Sequence, residues 1–164
     1  MKEWLSLFKY RGDERLLQLF AEMLMHAYRK LLEAEDGQGK RYDCITFVPL
    51  SEERLLERGF NQAELLALEL SKRVGIPVVK LLTRLRHTHK QSFKGRSERL
   101  NDLSGAFGVD MEAVGKLTMA RRTSPIRILL LDDVYTTGST LHQCALEIRK
   151  HSSTAEVYGL TWAR

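Results

Sequence analysis

Residues 128–140 read Ile128-Leu129-Leu130-Leu131-Asp132-Asp133-Val134-Tyr135-Thr136-Thr137-Gly138-Ser139-Thr140. The unbroken aliphatic run has the character of a buried parallel strand, and it ends on two acids. A hydroxyl-rich turn with a single glycine follows and opens onto a helical pattern. The expected order is a strand over 126–131, a turn over 132–138, a helix over 139–150 and a last strand over 155–162. In an open α/β sheet, ligands collect outside the carboxyl ends of the strands, and residues 132–140 form such an end.

Each residue type in this turn has a chemical reason. Backbone N–H groups at a helix start are unpaired and lie at the positive end of the helix dipole, so they favour a phosphate. Gly138 lets the backbone turn and come close to that anion. Thr136, Thr137, Ser139 and Thr140 add hydroxyl donors around it. Asp132 and Asp133 would repel a phosphate; as acceptors they suit vicinal ribose hydroxyls, or the shell of a Mg²⁺ ion. Capping and turn chemistry explains a lone Asp-Asp pair but not the whole string.

Working outward, residues 13–33 read as one amphipathic helix, with Asp13 as cap and Leu16, Phe20, Met23, Ala27 and Leu31 at helical spacing. Residues 44–48 form a short β-branched run before Pro49, as expected of a buried strand. A charged loop is expected over 51–59. Asn61, with Glu64 three residues on, marks the start of a helix that continues through Leu65, Leu66, Leu68 and Leu70 and ends at Gly75. Residues 76–82 resemble a second strand, 84–101 an exposed loop, and 108–125 hold a short helix before Pro125. Strands alternating with helices predict an α/β fold with an open, mostly parallel sheet flanked by helices, in one domain spanning 1–164.

Composition narrows the class. The chain has 164 residues, of which 43% are hydrophobic and 29% charged, which suits one globular core. Its longest purely apolar run, residues 128–131, is far short of the roughly 20 residues needed to cross a bilayer. No signal-peptide pattern opens the chain, so a cytoplasmic location is the default expectation. Cys44 and Cys144 are the two cysteines, with no CxxC pair. Neither a metal site built from protein ligands alone nor a disulfide framework is expected. The net charge of +5 suits polyanionic partners. The bases concentrate in 84–99, where Arg84, Arg86, Lys90, Lys94, Arg96 and Arg99 face Glu98 alone.

The 128–140 string resembles the phosphoribosyl-diphosphate signature of the type I phosphoribosyltransferases, and within that group the rest of the chain resembles the ComF family. Phe8-Lys9-Tyr10-Arg11-Gly12-Asp13 looks like the family's opening element. Val48-Pro49-Leu50, leading into Glu57-Arg58-Gly59-Phe60-Asn61-Gln62-Ala63, looks like its most recognisable segment. Arg84, Thr88, Gln91, Arg99, Asn101 and Gly105-Ala106-Phe107 fit its middle. These motifs stand in the family's order and cover nearly the full length.

The resemblance implies a type I phosphoribosyltransferase-like fold with a mobile hood. Asp132 and Asp133 would hold the ribose hydroxyls of phosphoribosyl diphosphate or a nucleotide, and Thr136, Thr137, Gly138, Ser139 and Thr140 its 5′-phosphate. Residues 50–59 would be the pyrophosphate loop, where Arg54, Arg58 and the backbone of Gly59 meet the diphosphate. Mg²⁺ would accompany the ligand. Residues 84–101 would be the hood, offering Arg84, Arg86, Lys90, Arg96 and Arg99 to the ligand or to DNA. ComF proteins usually carry a cysteine-rich zinc element ahead of the FKYRGD-like segment; none precedes Phe8 here, so no zinc is expected in this chain.

Biologically, the resemblance implies a part in natural competence and DNA uptake, beside a helicase-like ATPase and a recombination mediator. Three readings stay open: a phosphoribosyl-diphosphate binder in DNA uptake, an active nucleobase phosphoribosyltransferase of salvage metabolism, and a non-enzymatic accessory to single-stranded DNA. Turnover is not decided by the residues, and no nucleobase acceptor is indicated. His87 and His89 read as solvated surface residues, and Phe93 is the one aromatic in the basic stretch.

Overall fold

The computed structural model describes residues 14–34, 41–85, 105–120, 125–135 and 137–163. Helix α1 spans Glu14–Ala34, strand β1 Cys44–Phe47, helix α2 Glu52–Arg58 and helix α3 Gln62–Val74. Strands β2 (Leu82–Arg84) and β3 (Phe107–Val109) follow, then helix α4 (Met111–Ala120), strand β4 (Ile126–Val134), helix α5 (Ser139–His151) and strand β5 (Ala155–Ala163). The main sheet has the order β1-β4-β5, all parallel, and β2 pairs with β3 antiparallel in a separate ribbon. This is the α/β class expected, an open parallel sheet with helices on both faces.

The pleat of β4 sorts the core. Leu129 and Leu131 pack on one face with Phe20 and Leu24 of α1 and with Leu66 and Leu70 of α3. Ile126, Ile128 and Leu130 pack on the other with Cys144 and Ile148 of α5, Val114 of α4 and Phe107 of β3. Such alternation into two apolar layers is what a central parallel strand requires, since both of its faces are covered. No helix among the described residues is long and apolar enough to cross a membrane.

Three expected elements differ. Residues 51–59 are not a loop: Glu52–Arg58 form α2, closed by Gly59 at φ 77°, whose N–H donates to the Leu55 carbonyl at 2.8 Å. Glutamates at its start and Arg58 at its end complement the helix dipole. Residues 76–82 do not make a full strand beside β1. Ile45 donates to Pro77 O and accepts from Val79 N, each at 2.8 Å, and the pairing is a single bridge from Ile45 to Val78. Pro77 has no N–H to extend the ladder. Finally, β4 does not stop at residue 131. Its ladder with β5 continues through Asp132–Thr161 to Val134–Ala163, so both aspartates belong to the strand and not to the turn.

The amino end of the sheet is closed by a packed cation. Arg127 is 7% exposed, pairs with Glu156 at 3.2 Å and lies over the rings of Tyr42 and Tyr158 at 5.2 and 4.7 Å. The carboxyl end is where β1 and β4 give out side by side. Val48 N donates to Leu131 O at 2.9 Å, which sets the chain leaving β1 directly beside Asp132.

Candidate phosphate and ribose site

Two chain segments converge at this carboxyl edge. One is the exit of β1 into α2. Asn61 holds it: its Nδ2 donates to Val48 O at 3.0 Å, while its Oδ1 accepts from Ala63 N at 3.0 Å and caps α3. Asn61 is buried, so one side chain fixes both the end of the strand and the start of the next helix. Between them, α2 turns its arginines inward. Arg54 and Arg58 are half-buried, whereas Leu56 is 83% exposed. Arg58 Nη1 donates to Gln62 Oε1 at 3.0 Å, which ties α2 to α3.

Ser51, just before α2, is 8% exposed, and its hydroxyl has no hydrogen-bond partner among the described residues. An unpartnered buried hydroxyl is costly to keep, and here it stands where a diphosphate was expected. Ser51 belongs to no quoted motif. Its only signal in the sequence is a serine directly before Glu52-Glu53, the pattern of a helix start.

The other segment is the end of β4 with the start of α5. Consecutive strand residues project to opposite faces, so Asp132 and Asp133 do not form a side-by-side pair. Asp132 lies on the face of Cys144 and Arg84, and its Oδ1 accepts from Asp133 N at 2.9 Å. Burial, and after it the Asp132 carboxylate, pushes the Cys144 thiol well above the ordinary thiol range, while Arg84 pulls the other way. At Gly138 the backbone adopts φ 74°, ψ 0°, and α5 begins with no side-chain cap on Gly138 and no acid in its first turn. The other helix starts differ: Asn61 caps α3, the Asp110 carboxylate accepts from Ala113 N at 3.0 Å in α4, and Glu52 and Glu53 open α2.

Thr137 Oγ1 and Ser139 Oγ share a 2.7 Å hydrogen bond, and Ser139 N also points to Thr137 Oγ1 at 3.4 Å. Ser139 is buried, whereas Thr137 and Thr140 are half-buried. Thr136 lies outside the described residues, as do Arg86, His87, Lys90, Arg96 and Arg99.

Arg84 is not the exposed loop residue expected of it. It closes β2, is half-buried, and sets its guanidinium over the Phe107 ring at 4.3 Å from the centroid. Burial pushes its pKa down; Cys144 opposes this, Arg54 adds to it and Asp132 opposes it. The fold therefore gathers Arg54 from α2, Arg84 from β2 and Asp132 from β4 into one electrostatic neighbourhood. A basic run in the sequence hides this burial, because Arg84 looks like its neighbours; its signal was the apolar Leu81-Leu82 ahead of it.

Among the described residues, no cluster of three or more His, Cys, Asp or Glu side chains is arranged to hold a metal. Asp132 and Asp133 can add oxygens to a Mg²⁺ ion carried by a ligand's own phosphates. Cys44 and Cys144 are both buried, in or beside the sheet, and burial with the neighbouring Asp43 pushes the Cys44 thiol up to about 12.

No family model matches the chain. Among curated proteins it is 36% identical over 156 residues to the competence protein ComFC of Bacillus subtilis strain 168, covering 93% of this chain and 56% of that protein. It is 34% identical over 158 residues to competence protein F of Haemophilus influenzae, covering 95% of this chain and 65% of that protein. It is 32% identical over 155 residues to the DNA utilization protein YhgH of Salmonella typhimurium, covering 93% of this chain and 63% of that protein. The chain thus spans less than two thirds of the length of each of these relatives. Matched along nearly all of its own length, the chain belongs to the ComF family.

Proposed function

We propose that this chain binds phosphoribosyl diphosphate, or a nucleotide bearing the same phosphorylated ribose, at the carboxyl edge of β1 and β4, and acts in DNA uptake. The observation that carries the reading is the juxtaposition of complementary parts. The start of α5, where Gly138 brings no side-chain cap, follows the Asp132-Asp133 acceptors in the chain. Arg54 and the unpartnered Ser51 hydroxyl stand at the exit of the neighbouring strand. A ligand with a phosphate at one end, a diol in the middle and a diphosphate at the other meets each of these needs. The 5′-phosphate would take the N–H groups and hydroxyls of residues 136–140. The diol would take the aspartates, and the diphosphate Arg54, Arg58 and the backbone near Gly59.

Mg²⁺, when bound with the ligand, supplies neutralisation of the diphosphate charge. If the chain also catalyses, a nucleophile displaces pyrophosphate from C1 of the sugar. The residues that bind the diphosphate would then also stabilise it as it leaves. The role in DNA uptake is supported by relatives named as competence and DNA utilization proteins, and by the excess of Lys and Arg in residues 84–99.

The test is calorimetric titration of phosphoribosyl diphosphate with and without Mg²⁺, on the wild type and on Asp132→Asn/Asp133→Asn. Micromolar-range binding that the double substitution abolishes supports the reading and justifies a screen of nucleobase acceptors. A folded wild type that binds nothing overturns the ligand and leaves the DNA role to be tested alone.

A further inference from the structure

Directly before the proposed phosphate loop stands an aromatic side chain. Tyr135 follows the end of β4 and is 38% exposed. Its ring folds forward over Gly138. A Cβ built on Gly138 would lie 2.8 Å from the Tyr135 hydroxyl oxygen and 2.9 Å from Cε2, both too close for a real Cβ, and 3.0 Å from Cζ. The ring therefore occupies the space that a side chain at 138 would need. Gly138 is at the same time the residue whose left-handed φ aims the first N–H groups of α5.

The glycines that end α2 and α3 have no such neighbour. Gly59, at φ 77°, and Gly75, at φ 72°, would each place a Cβ in open space. They close helices through their own N–H groups, bonded to Leu55 O and Ser71 O. Gly138 opens a helix and has no side-chain cap to hold it. Its turn carries the Thr137–Ser139 hydroxyl bond and, from three residues back, the Tyr135 ring. Among the described residues, nothing hydrogen-bonds to the Tyr135 hydroxyl, and the ring lies against Gly138.

We propose that Tyr135 is a positioning residue for the phosphate loop, its ring clamping the turn at Gly138 so that the start of α5 is preorganised for a phosphate. This rests on the phosphorylated-ribose reading above. A clamp of this kind acts on every ligand that carries the phosphate, whatever its sugar, because preorganisation lowers the ordering cost of binding. The aspartates should instead act only where a diol is present.

The experiment titrates ribose 5-phosphate and 2-deoxyribose 5-phosphate against the full chain as wild type, Tyr135→Phe, Tyr135→Leu, Tyr135→Ala and Asp132→Asn/Asp133→Asn, with thermal unfolding followed in parallel. Tyr135→Ala is expected to weaken both sugars equally, by about tenfold. Tyr135→Phe should stay within about twofold of wild type, with Tyr135→Leu between them. The aspartate variant should lose only the preference for ribose. Unchanged affinity in Tyr135→Ala overturns the clamp, as does a loss confined to the ribose form. If Tyr135→Phe loses as much as Tyr135→Ala, the hydroxyl and not the packing matters, and the clamp fails. If Tyr135→Ala does not fold, Tyr135→Leu and Tyr135→Phe carry the same comparison. A wild type that binds neither sugar phosphate defeats the ligand reading itself, which is distinct from any result in which wild type binds and Tyr135 is indifferent.

Discussion

Asn61 and Val48 are joined by a 3.0 Å hydrogen bond from the Asn61 amide to the Val48 carbonyl, across a separation of thirteen positions that contains all of α2. The same amide side chain accepts from Ala63 N, so α2 is a bracket whose two ends are pinned by one residue. Asn61→Ala removes the cap of α3 and orphans the Val48 carbonyl. It is expected to cost about 2 kcal/mol of stability, read from urea unfolding. Asn61→Asp should keep the cap, lose the donor and set a negative charge against the Val48 carbonyl. If Asn61→Ala costs no more than about 1 kcal/mol, the worth of the cap alone, the tie to β1 contributes nothing.

Gly59 and Gly138 share a left-handed φ but differ in surroundings. Gly59→Ala should cost about 1 kcal/mol, the backbone strain alone. Gly138→Ala also meets the far end of the Tyr135 side chain, which must swing aside, so any cost beyond the strain measures how firmly that ring is held. In a Tyr135→Ala background the excess should vanish, leaving the strain. This double-mutant cycle is measured by chemical denaturation; equal costs for Gly138→Ala in both backgrounds would contradict the packing.

The pleat puts Asp132 and Asp133 on opposite faces, so their neutralisation should not be equivalent. Asp132→Asn removes a carboxylate whose field supports the half-buried Arg84 charge. It should destabilise the unliganded protein more than Asp133→Asn does. Paired unfolding curves without ligand measure the difference, and equal curves would mean that Arg84 takes no support from Asp132.

Burial raises both thiols, and the consequence for pH has a definite sign. Unfolded cysteines ionise above about pH 8.5. In the fold the Cys44 thiol titrates near 12, and Cys144 is also raised. Stability is therefore fully present below about pH 8.5 and falls as pH rises, by up to about 1.4 kcal/mol per unit for each thiol, until the folded thiol ionises in turn. Cys144→Ala should flatten the fall between about pH 9 and about pH 10.5. Neither thiol should react with a disulfide reagent at about pH 8 until the protein unfolds.

Arg96 and Arg99 lie outside the described residues but within the basic stretch. If that stretch tracks a DNA backbone, Arg96→Glu/Arg99→Glu should weaken single-stranded DNA binding. The slope of log K against log salt should become shallower by about 0.7 for each phosphate no longer neutralised. An unchanged affinity and slope would remove these residues from any DNA role.

Much of the site was legible because its residues announce themselves locally. An aliphatic run ending in Asp132-Asp133 and a turn of Thr, Gly and Ser can be read without any partner, and Asn61 with Gly75 brackets α3 in the same way. What escaped depends on remote partners. The extension of β4 through Val134 is set by the β5 ladder, and two consecutive acids argue against it. Helix α2 keeps its apolar residues outside and its arginines inside, so the usual hydrophobic period points the wrong way. Arg84 reads as solvated because five other bases follow within fifteen residues, whereas Phe107, far along the chain, lies against it.

The strand order β1-β4-β5 has a consequence for synthesis. The central strand begins at Ile126 of a chain of 164 residues, so β1 leaves the ribosome with neither β4 nor β5 yet made. Closing β1 onto β4 draws together segments that pair Cys44 with Ile128, a late and entropically costly step. Until it happens, Ile45 and Phe47 and the apolar faces of α1 and α3 have no sheet to cover them. A nascent chain stalled before residue 126 should therefore be protease-sensitive and chaperone-bound, and both halves of the site should appear together once residues 126–163 are made.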